Sequence, residues 1–226
     1  MCLPSAPGVV MLAFLGGTGP EGKGLALRLA LAGEEPIIGS RDAGRAAAVA
    51  DQLRQLAPRL RIRGAENADA AAGADVVFVT VPYEAQRPLL EQLRGSLAGK
   101  VVVTVIAPIR FERGRGASAV AVEAGSAAQE AEQLLPQSLL VSAFQTVSAE
   151  ELQEPGTLMK GDVIVCSDHS EAKALVMGLV QQIPDLRPVD GGALANSKYV
   201  EQITPLLVNI NRIYKIHAGI KIVGLR

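Results

Sequence analysis

Cysteine and histidine are scarce in this 226-residue chain, which has Cys2 and Cys166, His169 and His217, and no others. Two thiols, one of them close to the amino terminus, cannot build a disulfide framework or a Cys-based zinc site. Two imidazoles cannot build a multi-His metal centre, so no metal is expected. The sparing use of cysteine predicts a reducing, cytoplasmic setting. An excess of one charge sign is also missing: 22 Lys and Arg stand against 23 Asp and Glu, a formal net charge of −1. Nucleic acid and anionic membrane surfaces both require concentrated cations, so neither is expected as a partner. Long hydrophobic runs are absent as well. The first apolar stretch, Val9 to Leu15, falls far short of the ~18–20 residues that span a bilayer. It lacks the cationic flank and the cleavage site of a secretion signal and reads as a buried strand.

What is present is a globular balance, 49% apolar and 20% charged, in a length typical of one domain. Short β-branched runs alternate with helical patterns. Val9–Leu15, Pro36–Ser40, a weak Leu60–Arg63, Asp75–Val81, Lys100–Ile106, Leu139–Ala143, Asp162–Cys166 and Leu186–Val189 read as strands. Gly22–Ala32, Ala43–Leu56, Tyr83–Leu93, Ser126–Leu135 and Glu171–Gln182 read as helices between them. The runs DVVFVTV and KVVVTVI are apolar throughout, which suits strands buried on both faces of a parallel sheet. The pattern predicts an α/β, Rossmann-type, doubly wound and mostly parallel sheet. After Gly191-Gly192 a long helical pattern, Asn196–Ile216, carries an internal Pro205 that should kink it.

The most informative stretch is Gly16-Gly17-Thr18-Gly19-Pro20-Glu21-Gly22, between the first strand and the first helix. Gly17, Gly19 and Gly22 form G-x-G-x-x-G: a tight turn, close backbone approach to a pyrophosphate, and close packing of helix on strand. Free N–H groups at the helix start then face the diphosphate. NAD would call for a carboxylate at the end of the second strand, but that strand ends in Ser40-Arg41. A hydroxyl and a guanidinium, with Arg45 a turn further on, suit the 2′-phosphate of NADP. The bland alternative is a solvated helix start in which Arg41 and Arg45 pair with Asp42. The expected organisation is a flexible leader over residues 1–8, an NADP-binding Rossmann domain over 9–191, and a C-terminal helical segment over 192–226 that closes the cleft.

The wording of several segments goes further. FLGGTGPEGKGLALRLALAGEEPIIGSRDAGRA, VTVPYEA, VSAFQTVSAEEL and DLRPVDGGALANSKYVEQITPLLVNI together resemble the F420-dependent NADP oxidoreductases across nearly the whole chain. The resemblance implies reversible hydride transfer between the nicotinamide C4 of NADP(H) and C5 of the deazaflavin coenzyme F420, in a homodimer. It implies that Thr18, Ser40 and Arg41 hold the adenosine phosphate. It also implies that Val81 and Pro82 line the nicotinamide approach, and that Ala143 to Val147, including Gln145, form a surface shared by both rings. Many family members carry a His where this chain has Gln145, and a Pro where it has Ser148. Gln can donate a hydrogen bond to a ring carbonyl but cannot become cationic.

Other residues carry weaker signals. Arg110, Arg113 and Arg115 crowd a Gly-rich loop that is either a site for the deazaflavin tail or a solvated surface. Lys198 could be the acid of a β-hydroxyacid-dehydrogenase-like site, in an NADP-dependent reductase of a small carbonyl or imine. Its helical-face neighbour, Gln202, favours a structural or tail-binding role. His169 reads as a cap-region residue, His217 as a cation suiting the end of the last helix, and Cys166 as a small buried apolar residue. Asn209 and Asn211 lie on opposite faces of that helix, so at most one reaches a cleft. The stripe Ile203, Leu206, Leu207, Ile210 and Ile213 reads as core or dimer seam rather than cofactor contact. A module that senses nucleotide without turnover is a third reading, for which no effector segment is evident.

Overall fold

A computed structural model describes residues 10–225. The expected leader, Met1–Gly8, and Cys2 within it lie outside the described residues. In chain order the elements are β1 (Met11–Leu15), α1 (Pro20–Leu31), β2 (Glu35–Ser40), α2 (Ala43–Leu56), β3 (Arg63–Glu66), α3 (Asn67–Ala72), β4 (Val76–Val79), α4 (Tyr83–Leu97) and β5 (Val101–Thr104). Then follow β6 (Ile109–Glu112), β7 (Gly116–Ala119), α5 (Ala127–Leu134), β8 (Leu139–Ser142), α6 (Ala149–Leu152), β9 (Gly161–Val165), α7 (Ser170–Gln181), β10 (Leu186–Asp190), a short 3-10 turn at Leu194–Asn196 and α8 (Ser197–Tyr214).

Six strands form a parallel sheet in the order β3-β2-β1-β4-β5-β8. Successive side chains of a strand face opposite ways, so an apolar run feeds two cores at once. Leu12, Phe14, Ile38, Val76, Phe78, Val101, Val103 and Val141 pack on one face with α1, α2 and α7. Ala13, Leu15, Ile37, Val77, Val79, Val102 and Leu140 pack on the other with α3, α4 and α5. Phe14 and Phe78 stack across β1 and β4 with centroids 4.6 Å apart. The sheet order reverses between β1 and β4, and a crevice outside the carboxyl ends of the strands opens at such a switch point.

Three features differ from the sequence expectation. The main sheet ends at β8, whereas β9 and β10 form a separate parallel pair. One antiparallel bridge joins the two: the Ser142 N–H donates to Cys166 O (2.9 Å) and the Cys166 N–H to Ser142 O (3.0 Å). β9 thus runs against β8 and cannot extend the parallel ladder. The third strand lies a few residues later than expected, because Leu60 and Ile62 are buried in the lead-in to it. The arginine-rich loop is an antiparallel hairpin, β6 and β7, turned by Gly114 and Gly116 at φ 82° and 96°.

The carboxy-terminal helix runs unbroken through the buried Pro205 and stops at Lys215, which adopts a left-handed φ of 57°. The chain then returns along β9. Arg187 grips Asp162 with two charge-assisted bonds (2.8 and 2.7 Å), and Asp162 also accepts from the Ile222 N–H (2.5 Å).

Candidate functional site

The glycine-rich turn has three distinct local reasons for its glycines. The Gly17 N–H donates to both Phe14 O and Gly39 O (2.9 Å each), and a Cβ there would sit 2.6 Å from Phe14 O. A Cβ on Gly22 would overlap the Thr80 hydroxyl and lie 2.7 Å from Gly17 Cα, so only glycine lets α1 start this close to β4. Gly19 is different. Its nearest neighbour would be 3.6 Å away, leaving its backbone open to an incoming group. Asn67 of α3, which the sequence reading missed, braces the turn by accepting from the Gly16 N–H (3.2 Å). No local pattern marks Asn67. It reaches the turn only because α3 folds back beneath β1 and β2.

On one side of this turn, β2 ends in buried Ser40 and exposed Arg41. Asp42 caps α2 by accepting from the backbone N–H of Arg45 (2.9 Å), and among the described residues no guanidinium pairs with it. Arg41 and Arg45 make no ion pair among the described residues. Two uncommitted guanidiniums therefore flank the end of β2, as a phosphate site requires.

On the other side a cavity of about 810 Å³ opens. Its floor is Gly19, Pro20 and Glu21 together with Thr80, Val81 and Pro82 at the end of β4. Val105 and Ile106 beyond β5 and Phe144 to Ala149 beyond β8 form one wall. The opposite wall is Thr204, Leu207, Val208 and Asn211 of α8, continued by Lys215 to Ala218. The expected site residues Gly19, Pro20, Glu21, Val81, Pro82, Gln145 and Val147 thus come together. Gly17, Thr18 and Gly22 belong to the adjoining turn, and Ser40, Arg41 and Arg45 lie on its far side. Ala143 is an exception: it is fully buried in the core and does not line the cavity. The strand's alternation turns it inward, and Phe144, at φ 72°, then redirects the chain.

Two polar side chains in this cavity are short of partners. Gln145 is buried, and its Nε2 donates to Thr104 O (3.0 Å) and Ser142 Oγ (2.8 Å), leaving Oε1 with no partner. The expected donor is therefore committed to the scaffold. What is left over is an acceptor, enclosed at the cavity wall. Glu21 is the second, with its Oε1 buried and unpartnered, and desolvation pushes its carboxyl up to about 8.

His217 does not end a helix. It lies three residues beyond Tyr214, lines the cavity, and sets its Nδ1 3.2 Å from Ser148 Oγ and 3.6 Å from Glu150 Oε2. Its position is decided by the return of the tail along β9, which no periodicity announces. The stripe on α8 splits: Leu207 lines the cavity while Leu206 and Ile213 face solvent. Asn211 faces the cavity and Asn209 grips the hairpin through the Ala117 N–H and carbonyl (2.8 and 2.7 Å). Lys198 is not on the cavity wall; its Nζ lies 4.8 Å from the Tyr199 ring. His169 occupies the N-cap position of α7 without a side-chain cap bond, and Cys166 is fully buried. Arg110, Arg113 and Arg115 stay exposed on the hairpin, with Arg115 3.7 Å from Glu112.

Two buried charges hold the walls. Arg28 of α1 donates Nε to Leu152 O (3.0 Å), Nη1 to Thr157 O (2.9 Å), and Nη2 to Glu151 O (2.6 Å) and Glu154 O (2.5 Å). It thereby fixes the segment after Ser148. Glu201 of α8 accepts from the Ala127 and Ala128 N–H groups (2.7 and 3.1 Å) at the start of α5, a favourable end for an anion. Burial still outweighs those bonds and pushes Glu201 up to about 7. Among the described residues no cluster of three His, Cys, Asp or Glu could hold a metal, and no helix is long and apolar enough to cross a membrane.

A six-stranded parallel sheet with a glycine-floored crevice at its switch point defines a Rossmann-type dinucleotide-binding protein. A family model described as NADP oxidoreductase coenzyme F420-dependent matches residues 11–108. The F420-dependent NADP reductase of Methanothermobacter marburgensis is 41% identical over 95% of this chain and 98% of its own length. That of Methanocaldococcus jannaschii is 38% identical, with the same coverage of each chain. A crystal structure from Arthrobacter sp. FB24, provisionally assigned as an F420-dependent NADP reductase, superposes with a TM-score of 0.81. It is 25% identical and covers 96% of this chain and all of its own. The chain belongs to the F420-dependent NADP oxidoreductase family.

Proposed function

We infer that the chain catalyses reversible hydride transfer between NADP(H) and coenzyme F420. The two coenzymes supply the chemistry: NADPH, F420 and one proton interconvert with NADP+ and reduced F420, two electrons and a proton passing together as hydride. The protein supplies position and exclusion of water. The Gly17–Gly22 turn and the open N–H groups of α1 hold the diphosphate, with Gly19 giving close approach. Thr18, Ser40, Arg41 and Arg45 take the 2′-phosphate. The observation that carries this reading is the arrangement of these features: paired free guanidiniums on one side of the turn, and a largely apolar cavity on the other.

That cavity fits two stacked ring systems in two respects. Val81, Pro82, Val105, Ile106 and Leu207 give apolar walls, and the buried Gln145 Oε1 in the wall has no partner of its own, which a ring or carboxamide N–H would supply once the wall adjusts to a ligand. Arg28 and Glu201 act at a distance by holding the two walls. An NADP-dependent reductase of small carbonyls is disfavoured, since Lys198 lies away from the cavity. The residues from 192 onward close the cleft as its second wall.

The chain also pairs as a homodimer. Tyr199, Leu206 and Ile213 recur every seven residues along α8 and are 62%, 54% and 69% exposed, an apolar seam suited to a second copy. Burial of Cys166 as a free thiol is consistent with a reducing, cytoplasmic setting.

Spectrophotometry of purified protein with NADPH and oxidised F420 tests the assignment. Bleaching of the deazaflavin with NADPH, and much less with NADH, is the expected result. NADPH oxidation by small carbonyls without deazaflavin turnover would overturn it.

A further inference from the structure

Glu21 is an unusual choice for the floor of an apolar cavity. It occupies the first turn of α1, and its Oε1 is sealed from solvent with no donor in reach. No salt bridge among the described residues involves it. Glu21 as a residue is half-buried, and Oε1 is the oxygen turned away from water without a partner, which is costly unless something else supplies one. The strand order places that partner. A dinucleotide with its diphosphate on the Gly17–Gly22 turn and its 2′-phosphate beside Arg41 must lay its other half over the ends of β4, β5 and β8, in the cavity that Glu21 lines.

We propose that Glu21 discriminates the redox state of the bound nucleotide, its carboxylate pairing with the positively charged ring of NADP+ and thereby strengthening NADP+ binding relative to NADPH. This rests on the reading that the cavity takes the nicotinamide. The oxidised ring carries a positive charge and the reduced ring none, so only the former is attracted to an anion. In the low-dielectric cavity that attraction is larger than in water.

The proton balance follows. Below about pH 8 the carboxyl of the free protein is largely neutral. Binding of NADP+ favours the anion and releases a proton to solvent, so NADP+ affinity rises with pH up to about 8 and then levels off. Binding of NADPH leaves the carboxyl protonated. Other titratable groups face the cavity: Tyr83 of α4, Glu150 of α6, and Lys215 and His217 beyond α8. Lys23 lies on the same helix as Glu21, and Glu151 lies on α6, which packs against it. None of these contributes to the upward shift at Glu21, which arises from desolvation. The 2′-phosphate of the nucleotide titrates near pH 6, but it is common to both ligands and cancels in their ratio.

Isothermal titration calorimetry of NADP+ and NADPH, each without F420, from pH 6.5 to 9 tests the proposal. For the wild-type protein the ratio of Kd for NADP+ to Kd for NADPH should fall with pH, by at most ~10-fold per pH unit, and flatten above pH 8. In Glu21→Gln the ratio should not vary with pH, and at pH 9 it should exceed the wild-type ratio by on the order of 10-fold. Titrations in two buffers of different ionisation enthalpy should show proton release with NADP+ and none with NADPH near pH 7.5. This wild-type readout, together with Glu21→Leu, decides the matter should the Gln variant misfold. A flat wild-type ratio overturns the proposal, as does a pH-dependent ratio that survives in Glu21→Gln. Either leaves the hydride-transfer assignment standing, whereas failure of both nucleotides to bind refutes that assignment itself.

Discussion

Arg28 offers the most quantitative check on how the site is held. Its side chain is 4% exposed, yet it makes four bonds to carbonyl oxygens of Glu151, Leu152, Glu154 and Thr157, all beyond one end of the cavity wall. Burial lowers the guanidinium's pKa, opposed by the nearby Glu151 and Glu154 carboxylates, and the group stays charged. Hydrogen bonds to a charged donor contribute ~1.5–3 kcal/mol each, so a naive sum for four is ~6–12 kcal/mol. The four act on one short segment, which can partly rehydrate once freed, so the sum is an overestimate. A buried carbonyl left without its donor costs ~1–3 kcal/mol, so with part of the segment rehydrating a net loss of ~3–5 kcal/mol is expected in Arg28→Met. At ~2–4 °C per kcal/mol for a protein of this size, the melting temperature should fall by roughly 6–20 °C. Arg28→Lys should fall between the two, since a single ammonium cannot reach four diverging carbonyls. The same variants should weaken NADPH binding, because Val147 to Ala149 lose their anchor. Circular dichroism melts and calorimetry measure both effects. A loss below about 1 kcal/mol in Arg28→Met would refute the claim that this arginine pins the wall.

Further expectations follow from individual groups. Arg41→Ala should raise the Kd for NADPH about 10-fold or more and erode the preference over NADH, if a phosphate contact of ~1.5–3 kcal/mol is lost; an unchanged preference would count against the 2′-phosphate site. Glu201 is raised from 4.5 to about 7 in the folded state, so the folded protein binds the extra proton between those values. Stability should therefore fall as pH rises from 4.5 to 7, and Glu201→Gln should flatten part of that slope in urea titrations at stepped pH. Burial pushes the Cys166 thiol up to about 11, so in Cys2→Ser protein it should resist thiol reagents at pH 8 until denaturant is added. Leu206→Glu should convert a dimer to a monomer in sedimentation analysis; persistence of the dimer would move the seam elsewhere.

Local sequence determined much of this protein. The continuous runs Asp75–Val81 and Lys100–Ile106 suited strands buried on both faces, and β4 and β5 lie within them, while each of Gly17, Gly19 and Gly22 has the separate steric reason its spacing implies. Ser40-Arg41 at the end of β2 spoke for a phosphate because the chemistry there is short-range: a strand end, a turn and a helix start within six residues. Tertiary structure decided the rest. Asn67, Arg28 and His217 reach the site from 51, 124 and 69 positions along the chain from the groups they bond, and pairings at that distance have no periodicity to betray them. The family resemblance marked Gln145 as a ligand contact able to donate, but its donor hydrogens went to Thr104 and Ser142 once β5 and β8 were laid side by side. Side-chain identity follows from sequence, while which hydrogen-bonding partner each group finds depends on where the sheet brings its neighbours.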